Sequence, residues 1–277
     1  MPSPQAPIKG PAAEQPAHPG FDSVPPVCFT AGVNPRPDEL PPYVDPTTAL
    51  RALALVNGLR RYHAHAVEGM EHIPAEGPAL LVVHHSLATY DILLLGVSIW
   101  EHTHRVVRGL ADRLIFRLPI LSDLARNLGA VQGDPGAARR LLGDGEIVMV
   151  APGGMREALR SSAERYQIAW GNRMGFARLA LESGTRLIPA ACPAADDLYT
   201  VVPNRVTRYL YDTFRVPVPL MHGVGPTPIP RRLPLTHYIG PPITPPAPAA
   251  SPAERQVQVE TLRQRVAEAM AALLAHH

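Results

Sequence analysis

Two short apolar runs, Ala79–Val83 and Ile147–Val150, each empty directly into a loop of polar residues. In full the stretches are LLVVHHSLATYDILLLG over 80–96 and IVMVAPGGMREAL over 147–159. An apolar run of this length, bounded by polar and turn residues, reads as a buried strand. Further strands are expected at Arg105–Arg108 and Arg186–Ala191, with weaker candidates near Gly129–Val131 and Thr236–Ile239. Helices are expected at Ile92–Glu101, Ala111–Phe116, Ile120–Asn127, Pro135–Leu142, Gly175–Glu182 and Pro252–Leu274. Pro135 and Pro252 suit the first turn of a helix, and Gly184 suits a helix stop. Strands separated by helices predict an α/β fold with a mostly parallel central sheet flanked by helices. Ligands in such folds gather at the carboxyl ends of the strands, where both polar loops fall.

Residues 1 to about 45 are rich in proline and poor in large aliphatics. Such a segment buries too little apolar surface to offset the entropy of ordering, so a largely disordered arm is expected there, followed by one domain over 46–277. Thr47 or Thr48 can cap a helix running towards Val67, with Leu50, Leu53, Val56 and Leu59 at helical spacing and Arg51, Arg60 and Arg61 on the same segment. That pattern fits a packing helix with solvated arginines, or an interfacial helix with its apolar face in lipid and its arginines at anionic headgroups.

Other properties narrow the class. No apolar run approaches the roughly 20 residues that a bilayer-spanning helix needs. The longest, Ile92–Trp100, stops at Glu101, and the N-terminus lacks the apolar core of a signal peptide. A net charge of +2 on 277 residues is too mild to argue for nucleic acid. Two cysteines, Cys28 and Cys192, make no disulfide framework. Basicity comes almost wholly from arginine, with Lys9 the sole lysine, a composition that suggests a GC-rich genome.

The chemistry lies in the two loops. His85 and Asp91 are separated by five residues, a spacing at which a carboxylate can reach back to orient a general base. Asp91 also opens the helix that follows, where the helix dipole favours its ionised form. The same residues fit a helix-capping aspartate beside a histidine that only hydrogen-bonds backbone. His84 points to the opposite side of the strand and reads as a packing residue behind the site. Ser86 reads as a loop hydrogen-bonder, because no G-x-S-x-G elbow occurs in the chain. In the second loop, Pro152-Gly153-Gly154 makes a turn whose backbone amides can converge on an anion or a developing oxyanion. Arg156 can hold a carboxylate or phosphate, and Glu157 can line the pocket or cap the turn. No metal site is expected.

The order VVHHSLATYD, GLADRLIFRLPILSDLARNLGAV, IVMVAPGGMREAL and GNRMGFARLALESGTRLIPAA resembles the glycerolipid (lysophospholipid) acyltransferase superfamily, and within it the diacylglycerol-acyltransferase-like branch. The resemblance covers roughly residues 50 to 245. It implies an acyltransferase domain in which His85 deprotonates the acceptor hydroxyl and Asp91 orients it. It places Gly153, Gly154, Arg156 and Glu157 in substrate binding, with Arg156 and Glu157 at the acceptor end. A third family block matches Gly175, Phe176 and Ile188-Pro189, and a last one corresponds to Pro228–Pro242 around Arg231, Arg232 and Gly240. Two departures matter. The H-x(5)-D spacing is longer than the commonest H-x(4)-D, and P-G-G-M-R-E replaces the E-G-T-R type motif that goes with phosphate-bearing acceptors. Together they favour a neutral alcohol such as diacylglycerol over lysophosphatidate.

The implied partners are acyl-CoA as cosubstrate, with no bound cofactor, a lipid acceptor and a membrane surface on its cytoplasmic side, met peripherally through the 47–67 helix and Leu198–Phe214. Tyr199, Tyr209 and Tyr211 with Arg205, Arg208 and Arg215 suit an interface, although the segment also fits a cover on the sheet. Two other readings stand beside acyl transfer: an esterase or thioesterase using the same site, and a catalytically silent lipid-binding protein.

Overall fold

The computed structural model describes residues 46–113, 115–117, 122, 125–126, 128–202 and 219–277, and side chains from residue 51 onward. Seven strands form one sheet in the order β1 (Ala66–Glu68), β9 (Thr236–Ile239), β6 (Leu187–Ala191), β2 (Ala79–Val83), β5 (Ile147–Val150), β3 (Val107–Ala111) and β4 (Val131–Gln132). Every neighbouring pair is parallel except β6 with β9. A separate two-stranded ribbon joins β7 (Thr200–Val201) to β8 (Met221–His222). The helices are α1 (Pro46–Tyr62), α2 (Asp91–Thr103), α3 (Pro135–Gly143), α4 (Gly154–Ala158), α5 (Gly175–Ser183) and α6 (Pro252–Leu274). This is the α/β architecture expected, with a mostly parallel sheet flanked by helices.

β2 explains the layering. All five of its residues are buried, and successive side chains enter different cores. Leu80 and Val82 join Val148, Leu187 and the inner faces of α3, α5 and α6. Leu81 and Val83 join Met149, Ile188 and the α2 residues Leu95 and Ile99. α6 supports the first core with Val259, Leu262, Val266, Met270 and Leu274, spaced by three or four residues along one face. A smaller cluster packs Val56 of α1 against Leu94 of α2, Leu198 and Leu235. As expected, Pro135 and Pro252 stand in the first turns of α3 and α6, and Gly184 closes α5 at a φ of 66°; Asp134 caps α3 by accepting from the Ala137 N–H at 2.8 Å.

Several expectations need correction. The first helix stops at Tyr62 rather than continuing to Val67, and Ala66–Glu68 become β1. Parallel pairing with β9 overrides the apolar spacing, and Gly69 then turns the chain at a φ of 80°, where a Cβ would meet the Ile239 carbonyl oxygen at 2.1 Å. β3 lies further along than Arg105–Arg108, because the Arg105 guanidinium is engaged by the carbonyls of Pro74, Gly77 and Gly145. No helix spans Ala111–Phe116. Ala111 ends β3, and a single 3₁₀ turn follows at Ile115–Arg117. The proline-rich arm over 1–45, most of the helix expected at Ile120–Asn127, and Arg205, Arg208, Tyr209, Tyr211 and Arg215 lie outside the described residues.

β2 and β5 are neighbours, paired Leu81 to Met149, so the two polar loops leave the sheet side by side at its carboxyl edge. Among the described residues, no helix is long and apolar enough to cross a membrane. Leu81 is fully buried at the centre of the sheet, so Leu81→Ala should lower stability by about 3 kcal/mol. Chemical denaturation, read as a shift in midpoint at unchanged slope, checks this.

Candidate active site

The two loops are held together by one buried carboxylate. Glu157 is fully buried in α4. Its Oε2 accepts the backbone N–H of His85 at 3.3 Å, and its Oε1 accepts the N–H of Ala169 at 3.0 Å. Its expected place at the acceptor end is therefore not where the side chain lies: it faces inward and fixes backbone. Gly153 makes this possible, since a Cβ there would stand 2.3 to 2.4 Å from atoms of the Glu157 side chain.

One helical turn further on, Arg160 completes the clamp. Its Nη1 donates to the carbonyls of His85 and Glu157, both at 2.8 Å. Its Nη2 donates to both oxygens of the Asp196 carboxylate and lies against His84 Nε2. Burial pushes the Asp196 carboxyl upward, but the His84 hydrogen bond and the Arg160 charge outweigh it and hold it at about 2. His84 itself is buried, with Nδ1 3.6 Å from Glu157 Oε1 and Nε2 3.3 Å from Asp196 Oδ2. It stands behind the loop and ties Glu157 to Asp196. Neither Arg160 nor Asp196 stands out in the sequence: no motif links them, and they meet only because the turns after β5 and β6 converge.

His85 points the other way and is half-buried. Its Nδ1 lies 2.9 Å from the Ser86 carbonyl oxygen. A carbonyl can only accept, so the ring proton sits on Nδ1 and Nε2 keeps its lone pair. Burial lowers the pKa, which favours the neutral, proton-accepting ring.

Asp91 does not reach that ring. It is the first residue of α2, is 2% exposed, and accepts the Ser86 hydroxyl on Oδ1 at 3.0 Å. No hydrogen bond or ion pair joins it to His85, so the direct contact expected from the spacing is replaced by one residue in between. The Ser86 side chain serves Asp91 while its carbonyl serves His85. Burial raises the Asp91 carboxyl to about 6, against an opposing effect of the Ser86 bond.

The glycine turn is shaped from outside the loop. Arg173 Nη1 donates to the carbonyls of Pro152 and Gly153 at 2.7 and 2.5 Å. Gly154 adopts a φ of 50°, and its N–H is taken by the Ala151 carbonyl at 3.0 Å. That amide is therefore spent inside the turn, contrary to its expected part in an oxyanion site. Arg156 is exposed and makes no side-chain hydrogen bond or ion pair among the described residues, which leaves its guanidinium open to an anion. Among the described residues no cluster of three His, Cys, Asp or Glu side chains is placed to hold a metal ion.

Residues 65–193, the stretch that carries both loops, match the Acyltransferase family model. A bovine (Bos taurus) protein described as a DGAT1/2-independent enzyme synthesizing storage lipids is 33% identical over 217 residues, covering 78% of this chain and 60% of that protein. The human (Homo sapiens) protein of the same description is 32% identical over 217 residues, covering 78% of this chain and 62% of its own length. This chain thus spans about 60% of the curated relatives it matches. Among solved structures, the 1-acyl-sn-glycerophosphate (LPA) acyltransferase PlsC from Thermotoga maritima is similar over 80% of this chain and 81% of its own, at 17% identity and a TM-score of 0.47. Through residues 65–193, the stretch that carries both loops, the chain is similar to the acyltransferase family.

Proposed function

We propose that this protein transfers a fatty acyl group from acyl-CoA to the hydroxyl of a neutral lipid, diacylglycerol or a related alcohol, while bound peripherally to the cytoplasmic side of a membrane. The observation that carries this reading is the His85 ring, with its proton fixed on Nδ1 by the Ser86 carbonyl and no hydrogen bond to Nε2 among the described residues. In the reaction, Nε2 takes the acceptor's hydroxyl proton as the oxygen attacks the thioester carbonyl carbon. The tetrahedral intermediate collapses, the carbon–sulfur bond breaks, and the imidazolium returns its proton to the departing thiolate. The products are an ester and free CoA thiol. Exposed Arg156 supplies a cation for an anionic group of the donor.

Two observations support a neutral acceptor and an interfacial location. The bovine and human relatives are described as enzymes synthesizing storage lipids. α1 exposes Leu55 one turn after Arg51, and the segment after β7 exposes Leu220, Val224 and Ile229. Apolar side chains with adjacent arginines suit contact with headgroups and the upper acyl region.

Purified protein incubated with labelled acyl-CoA, vesicles and a panel of alcohols should form ester. His85→Ala should lose about 10²-fold or more of that rate. Free fatty acid as the sole product would mean that water replaces the alcohol and would overturn transfer. Vesicle binding without turnover would leave a lipid-binding protein instead.

Asp91 carries a second expectation. Its carboxyl titrates at about 6 when folded against 3.8 as the ordinary value, so the folded chain holds the proton more tightly. That preference favours the fold at low pH and is lost as pH rises through the folded value, leaving an ionised group whose burial costs about 3 kcal/mol. Asp91→Asn should therefore melt higher than the natural protein above pH 6, lose this advantage below 3.8, and transfer acyl groups poorly throughout. Thermal melts across pH, paired with rate measurements, check both parts.

A further inference from the structure

Two buried histidines stand behind Asp91 and have no part in the chemistry above. His237, on β9, is 2% exposed and places Nε2 3.8 Å from Asp91 Oδ2. His65, between α1 and β1, is 7% exposed and places Nε2 2.9 Å from His237 Nδ1. The rings meet edge to face at 74°. Parallel pairing of β1 with β9 brings them together, since Ala66 lies opposite Thr236 and Val67 opposite His237.

Burial holds both rings neutral, lowering His65 to about 2 and His237 to about 3. A neutral imidazole carries one N–H, so a bond between two such rings has two possible directions. In the first, His65 Nε2–H donates to His237 Nδ1, and His237 must carry its own proton on Nε2, facing Asp91. His65 Nδ1 is then a bare lone pair. In the second, His237 donates, His65 carries its proton on Nδ1, and a His237 lone pair faces the carboxylate. His65 Nδ1 is buried and has no hydrogen-bond partner. A buried donor left unpaired is the rarer and costlier fault, and opposed lone pairs add repulsion, so both considerations select the first direction.

The result is a row of N–H groups aimed at Asp91. Its Oδ2 faces the His237 N–H at 3.8 Å, an ion–dipole distance, while its Oδ1 holds the Ser86 hydroxyl, whose residue holds the His85 ring. We propose that His65 and His237 are positioning residues for the base: a tautomer-locked pair that keeps Asp91 ionised and oriented, and through Ser86 keeps the His85 proton on Nδ1. This rests on His85 being the base of acyl transfer. Asp91 is also faced by Ser86 and His84 from the loop after β2, by neighbouring Tyr90, and by Cys192 and Asp196 from the turn after β6. The Asp91 backbone N–H also bonds the carboxylate, and the Ser86 hydroxyl takes Oδ1, while the ring contact at Oδ2 is that of His237.

The test compares the natural protein with His237→Leu, His237→Gln and His65→Leu, each first shown by circular dichroism to be folded. Gln replaces the donor and guards against a leucine variant that fails to fold. Nitrogen-15 correlation spectra of labelled imidazoles should show Nε2–H on His65 and His237 and Nδ1–H on His85. In His237→Leu, the His85 signal should lose its single tautomer, kcat should fall roughly tenfold with KM little changed, and the acidic limb of the rate profile should move to higher pH. His237→Gln should recover most of the rate, and His65→Leu should lie between. An Nδ1–H on His237, or a folded His237→Leu with unchanged His85 tautomer and unchanged acidic limb, overturns the proposal. A natural protein with the expected tautomers but no transfer to any acceptor overturns the acyl-transfer reading instead, and leaves the histidine pair standing.

Discussion

The site depends on a carboxylate that never touches solvent. Glu157 is fully buried, and its two oxygens accept N–H groups from His85 and Ala169. A buried carboxylate is tolerable only when hydrogen bonds and a nearby cation replace the water it has lost. Arg160 provides that charge while holding the His85 carbonyl from the other side. The loop is thus gripped at both the N–H and the C=O of His85, the residue whose ring carries the free nitrogen. Gly153 follows from the same demand, because its missing side chain is the space the Glu157 carboxylate occupies.

This clamp lets the rest of the site be lightly built. On this frame the Ser86 carbonyl fixes the tautomer of His85, and burial keeps its ring neutral. Rigid backbone and prearranged dipoles are what general-base chemistry requires, since a base that must reorient loses rate. The same burial works against stability at Asp91, whose carboxyl is pushed to about 6. Groups tuned in this way cluster at functional sites because they are hard to justify elsewhere. Arg156 is exposed on the first turn after the glycines, and it is the cation proposed to meet the charge of the acyl donor.

Legibility in the sequence tracked how local each feature was. β2, β5, β6 and α6 show themselves through uninterrupted apolar runs or a regular three-four spacing, and the structure places them almost residue for residue. β1 does not, since Ala66–Glu68 follow a helical pattern and become strand only by pairing with β9. At the site, His85 was visible as a polar residue at the end of a buried strand. The role of Glu157 was hidden, because an acidic residue after a glycine turn reads as facing a pocket until its burial is known. Arg160, Asp196 and His237 carried no pattern at all.

By itself, then, the sequence determined the central strands, the helices that cover them and the two loops at their carboxyl ends, because burial periodicity and helix-stop chemistry act over a few residues. Tertiary structure alone decided which atoms meet. Whether Asp91 reaches His85 directly or through Ser86, and whether Glu157 faces outward or inward, depends on the packing of loops from separate strands. The pairing of His65 with His237 joins positions 172 residues apart. No local pattern encodes such contacts, since they exist only once the sheet has set its register and brought distant turns to one edge.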